Sequence, residues 1–221
     1  MIDRLADRIL AVERDHPVRV GLDGRSAAGK TTLADALAAR LRALTPRPVI
    51  RAQLDNFMVM VEDRNAYPYD SPESYYLDSW NYPAIRAQLL GPLGPGGDRR
   101  HRTALTTPSG RPLTGPPDQV AADDAILLAD GVFLQRPELA GCWDLVVYLR
   151  ISFAESLRRG IERDASWMGS AAEAERRYRG KYLPGEQRYL AEVRPEDHAD
   201  IVIDTSDPAN PTLLKDRTQK W

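Results

Sequence analysis

Cysteine, histidine and long apolar runs are scarce in this chain of 221 residues, and its formal net charge is only −2. The single cysteine, Cys142, cannot form an internal disulfide, and three scattered histidines provide no metal-ligand cluster. No apolar run approaches the roughly 20 residues of a membrane helix, and the N-terminus lacks the apolar stretch of a secretory signal. The near-neutral charge argues against a nucleic-acid polymer as partner. We expect a cytoplasmic protein without membrane contact.

Apolar residues alternate along the chain between short continuous runs and runs with helical spacing. The short runs predict strands at residues 18–22, 49–54, 125–129, 144–149 and 199–204. Helical spacing predicts helices at residues 2–12, 30–44, 82–90, 152–165, 171–179 and 185–193. This alternation is typical of an α/β fold, in which a mostly parallel sheet has helices on both faces. We treat residues 1–221 as one domain, and the pattern does not decide between a monomer and a homo-oligomer.

Two stretches of unusual composition lie between the second and third predicted strands. Residues 67–82 hold five of the nine tyrosines and one tryptophan. Residues 91–117 hold twelve glycines or prolines, which predicts a loop with a hairpin around Pro108–Gly110. The aromatic stretch suits two roles equally well, the wall of a pocket for a planar ligand or an anchor that fixes a loop to the core.

Residues 24–31 read GRSAAGKT, which matches the phosphate-binding pattern G-x-x-x-x-G-K-[ST] between a predicted strand and a predicted helix. Gly24 and Gly29 permit backbone shapes that direct N–H groups at phosphate oxygens, and the N-terminus of the next helix adds positive potential. Lys30 is expected at the β- and γ-phosphates, and the Thr31 hydroxyl on Mg²⁺. The guanine-reading pattern N-K-x-D and the dinucleotide-binding pattern G-x-G-x-x-G are both absent.

Two aspartates follow predicted strands, at the sheet edge where α/β proteins bind ligands. Asp55 can accept the proton of a hydroxyl group that attacks the γ-phosphorus. Its alternative role is to cap the turn that follows. Asp130 can help to hold Mg²⁺, and its alternative role is to form a turn before Gly131.

Arg158, Arg159 and Arg163 lie on the helix predicted after Ser152. Arg159 and Arg163 are four residues apart and share one helix face. Guanidinium groups there can clamp a phosphoryl group. In the alternative interpretation, Glu155 pairs with Arg159 and the face is merely solvated.

Five motifs, in this order, resemble those of the uridine kinase family, which belongs to the uridine kinase and phosphoribulokinase group of P-loop kinases. They are GRSAAGKT at residues 24–31, LDNF at Leu54–Phe57, DSWNYP at Asp78–Pro83, LLADGVF at Leu127–Phe133 and RRGIERD at Arg158–Asp164. The resemblance implies a P-loop kinase fold with a core at about 18–204. It also implies a small mobile lid at about 158–183 and an acceptor-side insertion at about 56–117.

The same resemblance implies ATP as donor, Mg²⁺ as metal and a small-molecule acceptor that is a uridine-like or cytidine-like nucleoside. ATP would lie on Gly24, Arg25, Ser26, Ala27, Ala28, Gly29, Lys30, Thr31 and Thr32, and Mg²⁺ on Thr31 and Asp130. The expected catalytic residues are Asp55, Lys30, Arg159 and Arg163, with Asp55 at the family's catalytic aspartate. The acceptor would contact Asp55, Phe57, Trp80 and Asn81, and we assign the loop cation Arg102 to the same site.

Two departures from the family pattern concern the acceptor. Asn81 stands where the family usually has an aspartate on the ribose hydroxyls, and Leu105 and Thr106 align where it has an aromatic residue and an aspartate near the base. A second candidate is therefore a kinase of a sugar, a sugar phosphate or a pantothenate-like alcohol. A third is a nucleotide-binding regulator without transferase activity, although the retained Lys30 and Asp55 argue against it.

Overall fold

A mostly parallel sheet of six strands organises the part of the chain that the structure describes. The computed structural model describes residues 1–113 and 119–217. In sheet order the strands are β2 (Val49–Gln53), β5 (Ile126–Asp130), β1 (Val18–Gly24), β6 (Leu145–Arg150), β7 (Ile201–Asp204) and β8 (Thr212–Asp216). The first five are parallel, and β8 pairs antiparallel with β7 at one edge. A separate antiparallel pair joins β3 (Arg100–His101) to β4 (Gln119–Val120).

Helices pack on both faces of the sheet, as predicted for the α/β class. They are α1 (Ile2–Leu10), α2 (Lys30–Leu44), α3 (Pro72–Leu77), α4 (Tyr82–Ile85), α5 (Phe153–Met168), α6 (Ala171–Arg177), α7 (Leu183–Val193) and α8 (Pro195–His198). Alternate side chains of β5 lie on opposite faces of the sheet, because side chains alternate along a strand. Ile126 and Leu128 pack in the core that α1 and α2 cover, whereas Leu127 and Ala129 pack with the aromatic side chains of the insertion.

The register of the central strands brings three loops to one edge of the sheet. Asp130, the last residue of β5, is paired with Gln53 of β2 and with Leu22 of β1. The phosphate-binding loop follows β1, and a 3₁₀ turn at Leu54–Phe57 follows β2. Asp55 therefore lies in the turn after its strand, close to the loop and to Asp130.

The insertion after β2 has little regular structure, in agreement with its glycine and proline content. Thr106 bridges to Pro112, and the Gly110 N–H donates to the Thr107 carbonyl over 2.8 Å, which confirms the predicted hairpin. Residues 114–117 of the predicted loop lie outside the described residues. The helix expected at 82–90 is present as α4 and a π-helical turn at Arg86–Leu90.

The other predicted elements are confirmed with small shifts at their ends. Helix α5 extends three residues beyond the predicted end, to Met168, where Gly169 ends it in the left-handed conformation (φ +96°). A π-helical turn at Tyr178–Tyr182 joins α6 to α7. The expected lid comprises the second half of α5, α6 and that turn, and its mobility stays a prediction. Within residues 1–113 and 119–217, no helix is long and apolar enough to cross a bilayer.

Candidate active site

The phosphate-binding loop has the backbone conformation that its glycines allow. Gly24 has a φ of +146°, and a Cβ there would lie 2.4 Å from the Leu149 carbonyl oxygen, so a larger residue does not fit. Gly29 has a φ of +90° and precedes the first residue of α2, Lys30. The loop therefore leads directly into a helix N-terminus, where unpaired N–H groups and the helix dipole favour an anion.

Lys30 lies within this loop rather than at the protein surface. Its side chain is 8% exposed, and Nζ donates to the carbonyl oxygens of Gly24 (2.9 Å) and Arg25 (2.7 Å). Burial lowers the pKa of Lys30, and four nearby carboxylates oppose that shift; they belong to Glu186, Asp23, Asp55 and Asp130. The lysine thus places one positive charge at the loop among several negative ones.

Thr31 and Asp130 form the candidate metal-binding pair. The Thr31 hydroxyl donates to Oδ2 of Asp130 over 2.6 Å, and Arg51 on β2 donates to Oδ1 over 2.8 Å. Asp130 is 3% exposed, so both oxygens are held in place inside the protein. No group of three or more His, Cys, Asp or Glu side chains suited to a metal exists in the described residues. A hydroxyl and a carboxylate still suit Mg²⁺, which is usually held by one or two carboxylates together with substrate phosphates.

Asp55 faces the same cavity as the loop. Its side chain is open to the cavity although protein surrounds it, and burial raises its pKa, an effect that Lys30 opposes and Asp130 reinforces. The indole N–H of Trp80 lies beside the carboxylate without normal hydrogen-bond geometry and lowers the pKa in part. Among the described residues no backbone N–H donates to Asp55. The turn-capping role is therefore not observed, and the carboxylate is available to a ligand.

The cavity in front of the loop has a volume of about 780 Å³. Its walls include Ser26, Ala27, Gly29, Lys30, Thr31 and Thr32 from the loop and α2, together with Asp55, Asp130, Arg159 and Arg163. The rest of its wall is largely aromatic and cationic and includes Tyr69, Tyr75, Trp80, Arg64, Arg177, Lys181 and Tyr182. A volume in this range suits small-molecule ligands.

The two arginines of α5 line the cavity in different ways. Arg159 donates to Oε1 of Glu155 (2.6 Å) and to the Ser206 carbonyl (2.8 Å), so the predicted pairing with Glu155 exists in a side chain that also faces the cavity. Arg163 donates to both carboxylate oxygens of Asp164, at 2.7 and 2.9 Å, and its side chain is 60% exposed. Arg163 is the freer of the two to approach a ligand.

Several expected ligand contacts are not on the cavity wall. Phe57 is fully buried in the core, and the Asn81 side chain caps α4 by accepting from the Ala84 N–H (3.0 Å). Arg102 belongs to the segment after β3 and does not line the cavity, and its backbone N–H donates to the Gln88 carbonyl. In the phosphate-binding loop, Gly24, Arg25 and Ala28 lie behind the cavity surface.

Arg25, Leu105 and Thr106, which were expected near a ligand, make contacts outside the cavity. The Arg25 guanidinium stacks 3.6 Å from the centre of the Phe153 ring. Leu105 packs against the core. The Thr106 hydroxyl accepts from the Met58 N–H over 2.9 Å. These side chains stabilise the chain around the cavity and do not line it.

Two buried carboxylates next to the loop were not predicted from the sequence. Asp23 accepts from Gln135 (2.9 Å), from the Gly24 N–H (2.8 Å) and from the Tyr189 hydroxyl, and burial raises its pKa. Glu186 on α7 accepts from the Ser26 N–H over 2.8 Å, and burial raises its pKa as well. Asp23 directly precedes the motif and could have been noted there. Glu186 is 160 residues away from Ser26, and no local signal indicates it.

Comparison with known proteins assigns the fold. No protein-family model and no curated protein sequence matches the chain. A "possible uridine kinase" from Bacillus stearothermophilus is 24% identical, with a TM-score of 0.68 over 91% of this chain and 96% of its own. The chain has the fold of the P-loop kinases.

Two further solved structures share the fold and differ in the substrate that their descriptions name. A "putative fructose transport system kinase" from a Silicibacter species is 21% identical, with a TM-score of 0.70 over 86% of this chain and 94% of its own. D-glycerate 3-kinase from Cryptococcus neoformans is 11% identical, with a TM-score of 0.65 over 97% of this chain and 99% of its own.

Proposed function

We propose that this P-loop kinase-like chain is an ATP-dependent phosphotransferase whose acceptor is a hydroxyl group of a small molecule. The observation that carries the proposal is the position of Asp55. Its carboxylate accepts no backbone hydrogen bond from residues 1–113 or 119–217 and faces the cavity that Lys30 and the phosphate-binding loop also line. In-line transfer needs a proton acceptor opposite a phosphate-binding group. Asp55 can supply the first and Lys30 the second.

The residues of the loop fit a nucleoside triphosphate. Glu186 already places a carboxylate oxygen 2.8 Å from the Ser26 N–H, so a loop amide here accommodates an anionic oxygen. Lys30 and the loop amides would hold the donor phosphates, and Thr31 and Asp130 would hold Mg²⁺. The metal, when bound, would neutralise charge on the phosphate oxygens. Arg163 would add a guanidinium group beside them.

Asp55 would act on the acceptor. A deprotonated carboxylate can accept the hydroxyl proton as the acceptor oxygen forms its bond to the γ-phosphorus and the bond to ADP breaks. Its raised pKa brings it nearer to neutral pH, where a general base is most effective. The walls of the cavity would exclude water and so limit hydrolysis of ATP.

The acceptor class has two candidates. A uridine-like or cytidine-like nucleoside is supported by the aromatic residues Tyr75 and Trp80 in the cavity wall. A non-nucleoside alcohol is supported by the side chains at the three positions that depart from the family pattern. Asn81 caps a helix, and Leu105 and Thr106 contact other parts of the protein and do not line the cavity. Because the expected ribose and base contacts are absent from the wall, we favour the non-nucleoside alcohol.

Replacement of Asp55 by asparagine tests the proposal. We expect Asp55→Asn to lower turnover by on the order of 10²–10⁴, because this is the usual contribution of a positioned general base. The measurement is ADP release across a panel of nucleosides, sugars, sugar phosphates and hydroxy acids. Asp63→Asn is the matched control, since Asp63 lies in the next 3₁₀ turn and is exposed.

The outcomes separate the candidate functions. Turnover of the Asp55→Asn variant equal to that of the wild type, with the fold intact, would contradict the catalytic assignment. Tight binding of ATP without acceptor-stimulated ADP release would instead favour the nucleotide-binding regulator.

A further inference from the structure

The wall of the cavity contains three cationic side chains that the donor does not require. Of the residues that the structure describes, six Lys or Arg side chains line the cavity, and the proposed donor site accounts for Lys30, Arg159 and Arg163. The remaining three are Arg64, Arg177 and Lys181, which we call the acceptor-side cations. They come from the segment after Asp55 and from the α6 and π-helical segment, so the fold brings them together from distant parts of the chain.

Lys181 is the most deeply placed of the three. It is 5% exposed, and Nζ donates to the Tyr69 carbonyl and lies 4.0 Å from the centre of the Tyr69 ring. In the described part of the chain no carboxylate lies within ion-pair distance of Nζ. An ammonium group has three N–H donors, so a buried lysine with one carbonyl partner retains donors for a ligand in the cavity.

Arg64 also retains unused hydrogen-bonding capacity. Its Nε donates to the Val59 carbonyl over 2.7 Å, whereas Nη2 is buried and has no hydrogen-bond partner among the described residues. A Cβ added at Gly110 would lie 2.6 Å from Nη2, which shows how closely the 107–111 hairpin approaches the guanidinium group. Arg177 is partly neutralised, because its Nε donates to Glu173 over 2.9 Å.

The surrounding charges do not balance this cluster. Burial lowers the pKa of Lys181 to about 8, and repulsion from Arg64 and Arg177 acts in the same direction, while Asp70 opposes it. Asp70 is exposed, is paired with Arg176 over 3.2 Å and also acts on Arg177, while Asp78 acts on Arg64. Of the three acceptor-side cations, Lys181 is buried, and a buried cation beside two others is costly unless an anion joins it. A ligand with negative charge would supply that anion.

We propose that the acceptor alcohol carries an anionic group, a carboxylate or a phosphate, which binds to Lys181, Arg64 and Arg177. The inference rests on the proposed phosphotransferase function and names the class of its substrate. Such an acceptor presents its hydroxyl group to Asp55 and its anionic group to the acceptor-side cations. The aromatic rings of Tyr69 and Tyr75 then contact the carbon skeleton between them.

Matched acceptors test the inference with the full chain. Each set contains a neutral alcohol, a carboxylate and a phosphate of similar size, such as glycerol with glycerate and glycerol 3-phosphate, or ribose with ribose 5-phosphate and ribonate. Acceptor-stimulated ADP release gives kcat and KM for each. We expect kcat/KM to be at least about 100-fold higher for the acidic acceptors than for the neutral alcohol. Whichever of the carboxylate and the phosphate has the higher kcat/KM identifies the anionic group.

Substitution of Lys181 tests the residue that carries the inference. Lys181→Met should lower kcat/KM for the acidic acceptor by about 10–100-fold, mainly through KM, because a charged hydrogen bond is lost. Lys181→Arg should restore part of the loss. Arg179→Met is the matched control: Arg179 lies on the same π-helical turn, is exposed and pairs with Glu175 over 2.8 Å.

The results distinguish this inference from the function on which it rests. If neutral alcohols are phosphorylated as efficiently as acidic ones and Lys181→Met leaves KM unchanged, the anionic acceptor is wrong and the phosphotransferase stands. If no alcohol of any class stimulates ADP release, the phosphotransferase is contradicted, and this inference with it.

Discussion

Replacing Glu186 by glutamine changes the charge at the phosphate-binding loop without changing the shape of the side chain. Glu186 is 2% exposed; Oε1 accepts from the Ser26 N–H, and Oε2 is buried with no hydrogen-bond partner in the described part of the chain. Lys30 and the half-buried Arg25 attract this carboxylate, and Lys30 also faces Asp23, Asp55 and Asp130. The Glu186 carboxylate thus places a negative charge on the loop, where the triphosphate should bind.

We expect Glu186→Gln to bind ATP more tightly. At an effective dielectric constant of about 20, two unit charges about 6 Å apart interact by about 3 kcal/mol. Screening by water and salt reduces this repulsion, so a decrease of at least about 10-fold in the Kd for ATP is the expected result. The glutamine Oε1 retains the hydrogen bond from Ser26. Isothermal titration calorimetry of both proteins at low salt measures the difference.

The same substitution should raise thermal stability at neutral pH. The substitution removes a buried charge, which is costly to keep ionised away from water, and about 1 kcal/mol corresponds to 2–4 °C in Tm for a chain of this size. Burial raises the pKa of Glu186, so its ionised form destabilises the fold above the ordinary carboxyl pKa. The stability advantage of the variant should therefore shrink as the pH falls through the raised pKa.

Glu192→Gln provides the control, since Glu192 lies on the same helix, is 48% exposed and pairs with Arg188 over 2.7 Å, and a glutamine oxygen can still accept from the Tyr76 hydroxyl that Glu192 binds at 3.0 Å. Removal of an exposed pair should change stability by less than about 1 kcal/mol and leave ATP affinity unaltered. A Kd for ATP that stays constant or rises in Glu186→Gln would refute the electrostatic reasoning. It would show that the carboxylate supports the loop instead of competing with phosphate.

Two further predictions concern the wall formed by α5 and the π-helical turn. Gly160→Ala should lower Tm by on the order of 5 °C, because the new Cβ would lie 2.1 Å from Cζ of the fully buried Tyr178 and overpacking costs about 1–3 kcal/mol. Gly180→Ala, with open space around its Cβ, should leave thermal melting nearly unchanged, and equal melting of both variants would contradict the packing argument. For the acidic acceptor, KM should rise above about pH 8, since Lys181 is charged below its pKa of about 8 and neutral above it. Lys181→Arg should abolish that rise in the pH profile of kcat/KM, and a rise that persists in this variant would assign it to another group.

The part of the site that is local in sequence could be predicted from the sequence. The phosphate-binding motif is continuous and lies between a buried strand and a helix, so Lys30 and Thr31 were predicted from spacing alone. Asp130 was predicted as a site residue because a continuous apolar run ends at this acidic residue. Helix α3 also has a local signal, which our prediction did not use: Ser71 caps it, accepting from the Ser74 N–H, and proline occupies its first position.

The rest of the site depends on contacts between distant segments. Glu186 and Lys181 lie in a polar helical region whose spacing indicates only a solvated face, yet the fold buries both. The short strand β8 lies in a polar tail and is stabilised by pairing with β7, which no periodicity indicates. Asn81 matched a family position, but its side chain caps a helix, because an amide at an N-cap satisfies a free backbone N–H.

The packing around Tyr75 accounts for the position of Glu186 at the phosphate-binding loop. Its ring contacts Trp80, Phe133 and Tyr182 edge-on, with centroids 4.8–5.3 Å apart, and its hydroxyl lies 3.2 Å from the Ser26 hydroxyl. These contacts fix the Tyr75 ring beside the phosphate-binding loop.

Helix α7 approaches that ring through a glycine. A Cβ at Gly185 would lie 2.8 Å from Cδ1 of Tyr75, so only a residue without a side chain allows the observed distance. The next residue along the helix is Glu186. Its position at the Ser26 N–H therefore follows from the packing of α7 on Tyr75, and attraction to Lys30 is not needed to hold it there. A neutral glutamine should keep the same place, so any change in ATP affinity in Glu186→Gln reports the charge and not a displacement of the helix.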